Sequence, residues 1–161
     1  MKNKKINFFL SFTTIFSFFL FCFSFFSGKK NSVNSIKSAL VNPSYNENIE
    51  KIIIQSPQEI LVLKSEGKWW SCESRGIKIF ADKKIVSNFT KNLTKIRNMY
   101  EISDSANGRL ELGLIEGSAQ IVTVVGPNGK ILSKLYFGAS DSLSSRITVA
   151  AEKGKICYET E

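Results

Sequence analysis

The sequence predicts an α+β fold: a largely antiparallel sheet of several strands with one amphipathic helix packed on it, preceded by an N-terminal transmembrane helix. Three observations predict it. Short β-branched runs recur between turn residues, one stretch near residues 82–98 carries helical periodicity, and residues 6–26 contain no charge. Runs of strands around a single helix argue for an antiparallel sheet with the helix on one face.

The N-terminal segment comes first. Ten of the thirteen Phe residues fall between Phe8 and Phe26. Residues 6–26 as a helix at about 1.5 Å per residue span roughly 31 Å, the thickness of a bilayer's hydrocarbon core. Lys2, Lys4 and Lys5 precede it, as in a signal sequence or signal anchor. Cleavage after Ser24 would leave Phe25-Phe26 at a new terminus, and Phe21 is a poor residue before a lipidated Cys22. The expected organisation is a signal anchor or signal sequence over residues 1–28, a polar linker over 29–44 rich in Ser, Asn and Lys, and a folded domain over 45–161. The expected location is the cell membrane, with a single N-terminal pass and the domain outside the cytoplasm. If the segment is cut, the domain is secreted or lipid-anchored instead.

Within the domain, residues 49–55 centre on Ile52-Ile53-Ile54, and Ser56-Pro57-Gln58 breaks the run. Residues 60–63 and 69–72 read as the next two strands, turned by Glu66-Gly67-Lys68. Residues 77–80 lead into the helix over 82–98. Asp82 is a good N-cap type, and Ile85, Val86, Phe89, Leu93 and Ile96 fall on one face. The opposite face carries Lys83, Lys84, Lys91 and Lys95, most simply a solvated face, otherwise a contact for anionic lipid. Residues 101–108 read as a polar loop and 110–115 as a strand. Residues 119–125 and 130–137 flank Gly126-Pro127-Asn128-Gly129, a strong hairpin signal. Residues 138–145 form a Ser-rich loop, and 146–151 and 155–159 a closing hairpin.

The order of several short stretches resembles the domain-of-unknown-function family numbered 4340. They are Ile60-Leu61-Val62-Leu63-Lys64, Gly67-Lys68-Trp69, Ala81-Asp82 with Val86 and Leu93, Leu112-Gly113-Leu114, and Leu135-Tyr136-Phe137-Gly138. The resemblance implies a membrane-anchored extracytoplasmic domain of accessory type beside ABC-transport systems, with no catalytic residues. The chain departs from the family by being one short unit, and by having Arg146-Ile147-Thr148-Val149 where an aromatic residue is usual.

The formal net charge of +8 is concentrated ahead of the domain: from Tyr45 onward sixteen basic residues meet fourteen acidic ones. That distribution argues against nucleic acid as a partner and for lipid headgroups beside the anchor. There is no His, so Ser-His-Asp and Cys-His catalysis are excluded. Ser65-x-x-Lys68 lies on a turn and Ser27-x-x-Lys30 beside the apolar segment, neither at the buried helix start that a Ser/Lys nucleophile needs. No phosphate-binding loop is present, and residues 103–114 fail as a calcium loop because Leu114 stands where the bidentate Glu belongs. The expectation is therefore no enzyme, no cofactor and no metal.

Trp69 and Trp70 are the candidate binding residues. Adjacent strand residues face opposite ways, so one Trp enters the core and the other points outward, as edge cover, a partner contact or a sugar platform. Cys72 and Cys157 form a disulfide if their strands are neighbours, and otherwise act as two small apolar residues. The expected function is a non-catalytic membrane-anchored envelope protein, accessory to a membrane transport complex of ABC type through protein–protein contact with its integral-membrane subunits. The alternative is an extracytoplasmic cell-wall or carbohydrate-binding module.

Overall fold

A computed structural model describes residues 34–138, 146–152, 154 and 156–160. The predicted membrane segment, Cys22, the first part of the predicted linker and most of the Ser-rich loop lie outside the described residues. Among the described residues no helix is long and apolar enough to cross a membrane.

Ten strands form one sheet in the order β1-β6-β10-β9-β8-β7-β2-β3-β4-β5. They are β1 (Ser35–Ser38), β2 (Lys51–Gln55), β3 (Ile60–Ser65), β4 (Trp70–Ser74), β5 (Ile77–Ala81), β6 (Arg97–Ser103), β7 (Gln120–Val125), β8 (Ile131–Phe137), β9 (Ile147–Ala151) and β10 (Cys157–Thr160). Every pairing is antiparallel. After β1 the chain builds the β2-β3-β4-β5 meander, crosses through a helix to β6 beside the far edge strand β1, then returns through β7 and β8 to the centre.

Side chains alternate across a sheet, so the register sorts the core into two faces. Ile52, Val122, Val124, Leu135 and Val149 lie on one face and join Val41, Ile49, Leu93 and Met99 in the larger buried cluster. Helix α1 (Lys83–Thr94) covers this face through Leu93 and Phe89, beside a 3₁₀ turn at Pro43–Asn48. The other face carries Ile121, Tyr136, Ala150 and Cys157, closed by Leu112, Leu114 and Ala119. These last residues follow a second short helix, α2 (Ala106–Glu111).

The expectation of a sheet of several strands with one helix packed on it is thereby corrected. The molecule is mostly a ten-stranded sheet with short helices on both faces. Three segments account for the difference. The helix ends at Thr94 because Lys95 is extended (ψ 130°), and residues 97–103 form β6 in place of the last helical turn and the polar loop. Residues 110–115, apolar enough to read as a strand, instead follow Ser105, whose Oγ accepts from Gly108 N at 3.0 Å as an N-cap. Gly113, at φ 66°, ends that helix in the left-handed conformation that suits glycine. Finally, β1 lies within the stretch read as linker, paired with β6 from Ser35↔Tyr100 to Ser38↔Arg97.

The apolar stripe of α1 is also rotated from the predicted one. Val86 and Leu93 are buried together with Thr90 and Thr94, whereas Ile85 and Ile96 are exposed. The buried hydroxyls are satisfied locally: Thr94 Oγ1 donates to Thr90 O at 3.0 Å and Thr90 Oγ1 to Ser87 O at 3.0 Å.

Candidate functional site

The β4–β5 end of the sheet concentrates the exposed apolar residues. The two strands are joined by Arg75-Gly76, both at positive φ (50° and 77°), the signature of a type I′ hairpin turn. Among the described residues β5 pairs with β4 alone and ends the sheet, so one side of its backbone has no partner there. Ile77 is 68% exposed, Ile79 58% and Phe80 77%, and Ile85 at the start of α1 is 69% exposed. Natural edge strands are usually blunted by charge, Pro or brevity. Here the single charge on β5 is Lys78, and it turns back onto Glu66 at 2.9 Å.

The two Trp residues divide as alternation predicts. Trp70 packs against the larger core cluster. Trp69, just before β4, is partly exposed, and its ring lies 4.5 Å from that of Phe80 at an angle of 47°. Lys78 Nζ sits 5.8 Å from the Trp69 ring. Glu66 organises this corner, accepting from Lys78 and from Ser71 Oγ at 3.3 Å, with Lys64 at 3.8 Å. The Lys78 hydrogen bond, opposed by desolvation and helped by the Lys64 charge, holds the Glu66 carboxyl below its usual range.

Cys72 and Cys157 are free thiols and are not brought together. Five strands separate β4 from β10 in the sheet order. The register also puts them on opposite faces: Cys72 aligns with Leu63 and Ile52, Cys157 with Ala150 and Tyr136. Burial pushes the Cys157 thiol up, against a weaker pull from Arg109.

A second polar cluster surrounds Tyr136. Lys134 Nζ binds Glu152 at 2.9 Å and Glu116 at 3.3 Å, and Tyr136 Oη donates to Glu116 at 3.3 Å. The Glu152 carboxylate, with Tyr136 and Glu116, holds the Lys134 ammonium well above the usual lysine range. Arg109 lies 5.1 Å from the Tyr136 ring and donates to the carbonyls of Gly154 (2.8 Å), Ala151 (3.2 Å) and Leu114 (3.3 Å). These contacts hold the β9–β10 connection and the end of α2 against the sheet. A separate open cleft of about 650 Å³ lies beside Phe89, Lys95, Arg97 and Tyr100, with no carboxylate lining it among the described residues. Among the described residues no three His, Cys, Asp or Glu side chains are grouped to hold a metal ion.

The sequence singles out Trp69 and Trp70 and places a short run at 77–80, but does not join that run to the site. Its signal was present: Ile77-Lys78-Ile79-Phe80 is apolar on both parities, which a half-buried strand does not need, and it follows an Arg-Gly turn. No family model, curated protein or solved structure matches the chain.

Proposed function

We propose that this chain is a non-catalytic envelope protein, held at the membrane by residues 6–26, whose extracytoplasmic domain works by protein–protein contact at the β4–β5 end of the sheet. The observation that carries the reading is the open edge of β5, flanked by exposed Ile77, Ile79, Phe80 and Ile85. Exposed apolar residues on both faces of a strand whose outer backbone groups lack a partner mark a site for strand addition. The resemblance to domain-of-unknown-function family 4340 supports an accessory role beside an ABC-type transport complex, with integral-membrane subunits as partners.

The test is crosslinking in intact cells with a membrane-impermeant lysine reagent, then gentle detergent extraction and mass spectrometry. Recovery of transporter subunits with a labelled domain is the expected result. An unlabelled domain overturns the location, and a labelled domain without transporter subunits overturns the transport role.

A cell-wall or carbohydrate-binding role is the second reading, favoured by the exposed Trp69–Phe80 pair. The 47° tilt makes a wedge and not a flat platform for a sugar ring, which places this reading second. It requires Trp69→Ala to abolish pelleting with cell-wall polymer while leaving the melting temperature within about 2 °C.

A further inference from the structure

We propose that β5 pairs antiparallel with β5 of a second copy of this chain, about a two-fold axis at Ile79, so that two ten-stranded sheets become one. The proposal rests on the reading of the β4–β5 end as a contact surface; it gives the β5 edge itself to a second copy, so that any integral-membrane partner meets the assembled pair.

The hydrogen-bond polarity of the edge fixes which residues meet. In a two-residue hairpin the pair that closes the turn is hydrogen-bonded, and bonded and non-bonded pairs then alternate. Ser74↔Ile77 closes the Arg75-Gly76 turn, so Cys72↔Ile79 and Trp70↔Ala81 are bonded pairs and Glu73↔Lys78 and Ser71↔Phe80 are not. The backbone N–H and C=O groups of Lys78 and Phe80 therefore point to the open side. An antiparallel partner must set these two residues opposite each other or opposite themselves.

Charge selects among the registers that satisfy this rule. An axis at Lys78 puts two ammonium groups face to face, which is destabilising. An axis at Phe80 sets Lys78 opposite Asp82, which lies beyond the strand and whose Oδ1 already caps α1 by accepting from Lys84 N at 2.7 Å. An axis at Ile79 sets Lys78 opposite Phe80 of the second copy, twice over. Each pair exchanges two backbone hydrogen bonds and sets Lys78, whose ammonium stays on Glu66 beside the Trp69 ring, opposite a ring instead of a second ammonium. On the opposite face Ile79 meets Ile79, and Ile77 meets Ala81. The pairing thus covers Ile77, Ile79 and Phe80 together, each more than half exposed. The other sheet edge, β1, is only four residues long with sequence Ser-Ile-Lys-Ser and presents no comparable row.

The register is read by disulfide trapping of the full chain in native membranes. The host carries Cys22→Ser and Cys72→Ala, because Cys72 stands opposite Ile79 within the hairpin and would capture a new thiol there. Two differently tagged copies are co-expressed, each with Ile79→Cys, and oxidised with copper–phenanthroline. Across a non-bonded antiparallel pair the Cα atoms approach to about 4.5 Å, within disulfide range. The expected result is a mixed-tag disulfide dimer. Ile77→Cys is the control: in this register the two Ile77 residues stand four positions apart, about 14 Å along the strand, and its dimer yield falls roughly tenfold or more.

An equal yield from both positions overturns the register, and the absence of a mixed-tag dimer overturns the pairing. Trapping of a different protein by Ile79→Cys overturns the second copy as occupant while leaving β5 as a contact surface. Ile79→Lys, at a site already exposed, provides a measurement independent of the trap. The detergent-solubilised wild-type chain is expected as a dimer by light scattering, and Ile79→Lys, which sets like charges on the axis, as a monomer of half the mass; a wild-type monomer overturns the proposal.

Discussion

Arg109 does the work of several residues at one point. Its planar guanidinium reaches four carbonyls from two segments, on the strand side and on the helix side, and lies over Tyr136. A lysine offers a point charge in place of that fork. Arg109→Lys is expected to lower stability by about 1–3 kcal/mol in urea denaturation, the value of hydrogen bonds to a charged donor. Nothing in the sequence marks this residue, since its partners are main-chain carbonyls, one of them five positions on and the others 42 to 45 positions away. The Trp pair was legible because strand alternation alone divides two neighbours.

Glu66 carries a pH dependence whose sign follows from its lowered pKa. A carboxyl held down in the folded state stabilises the fold above its unfolded pKa, and the contribution is lost as pH falls through the folded value. The melting temperature of Glu66→Gln is expected below that of wild type at neutral pH. The two should converge on acidification through about pH 5 to 3, the carboxylate range. The thiols give a further check at this scale: Cys72 is partly exposed and Cys157 is fully buried. Iodoacetamide should label Cys72 in the native protein and reach Cys157 only on unfolding, and a reductant should leave the melting temperature unchanged.

Elements were legible where a local chemical signal stood at both ends. The β7–β8 hairpin carried Gly126-Pro127-Asn128-Gly129, and Asn128 and Gly129 do take positive φ (58° and 74°). The start of α1 carried Asp82, which caps it. The start of α2 carried an equally good cap in Ser105, but three Leu residues at alternate positions argued for a strand. The alternation there arises because Leu112 and Leu114 lie beyond the helix in the turn that covers the second core cluster. The β4–β5 turn offers a test in both directions. Gly76→Ala forces a Cβ into φ 77° and is expected to cost about 1 kcal/mol. Arg75→Asn supplies a residue that tolerates φ 50° and is expected to raise stability by a few tenths of a kcal/mol in the same denaturation series.

The order of strands across the molecule was not legible, because it depends on pairings between residues far apart in the chain. β6 meets β10 some sixty positions later, and β1 joins β6 from a stretch whose Ser, Asn and Lys content reads as linker. Short polar strands leave little periodicity, and only the neighbour's open edge selects them. Residues 34–41 nevertheless carry weight in the fold. Val41 is 1% exposed within the larger core cluster, its N–H donates to Leu93 O at 2.9 Å, and β1 covers the outer edge of β6 beside buried Met99. A chain beginning at Asn34 is therefore expected to melt in one cooperative transition. Removing residues 34–41 as well deletes a buried Val, worth about 1.5–3 kcal/mol by its apolar area, together with the β1 ladder. The midpoint of urea denaturation should fall accordingly, and amide exchange should accelerate along β6 before the rest of the sheet. An unchanged midpoint would return residues 34–41 to the role of a tether.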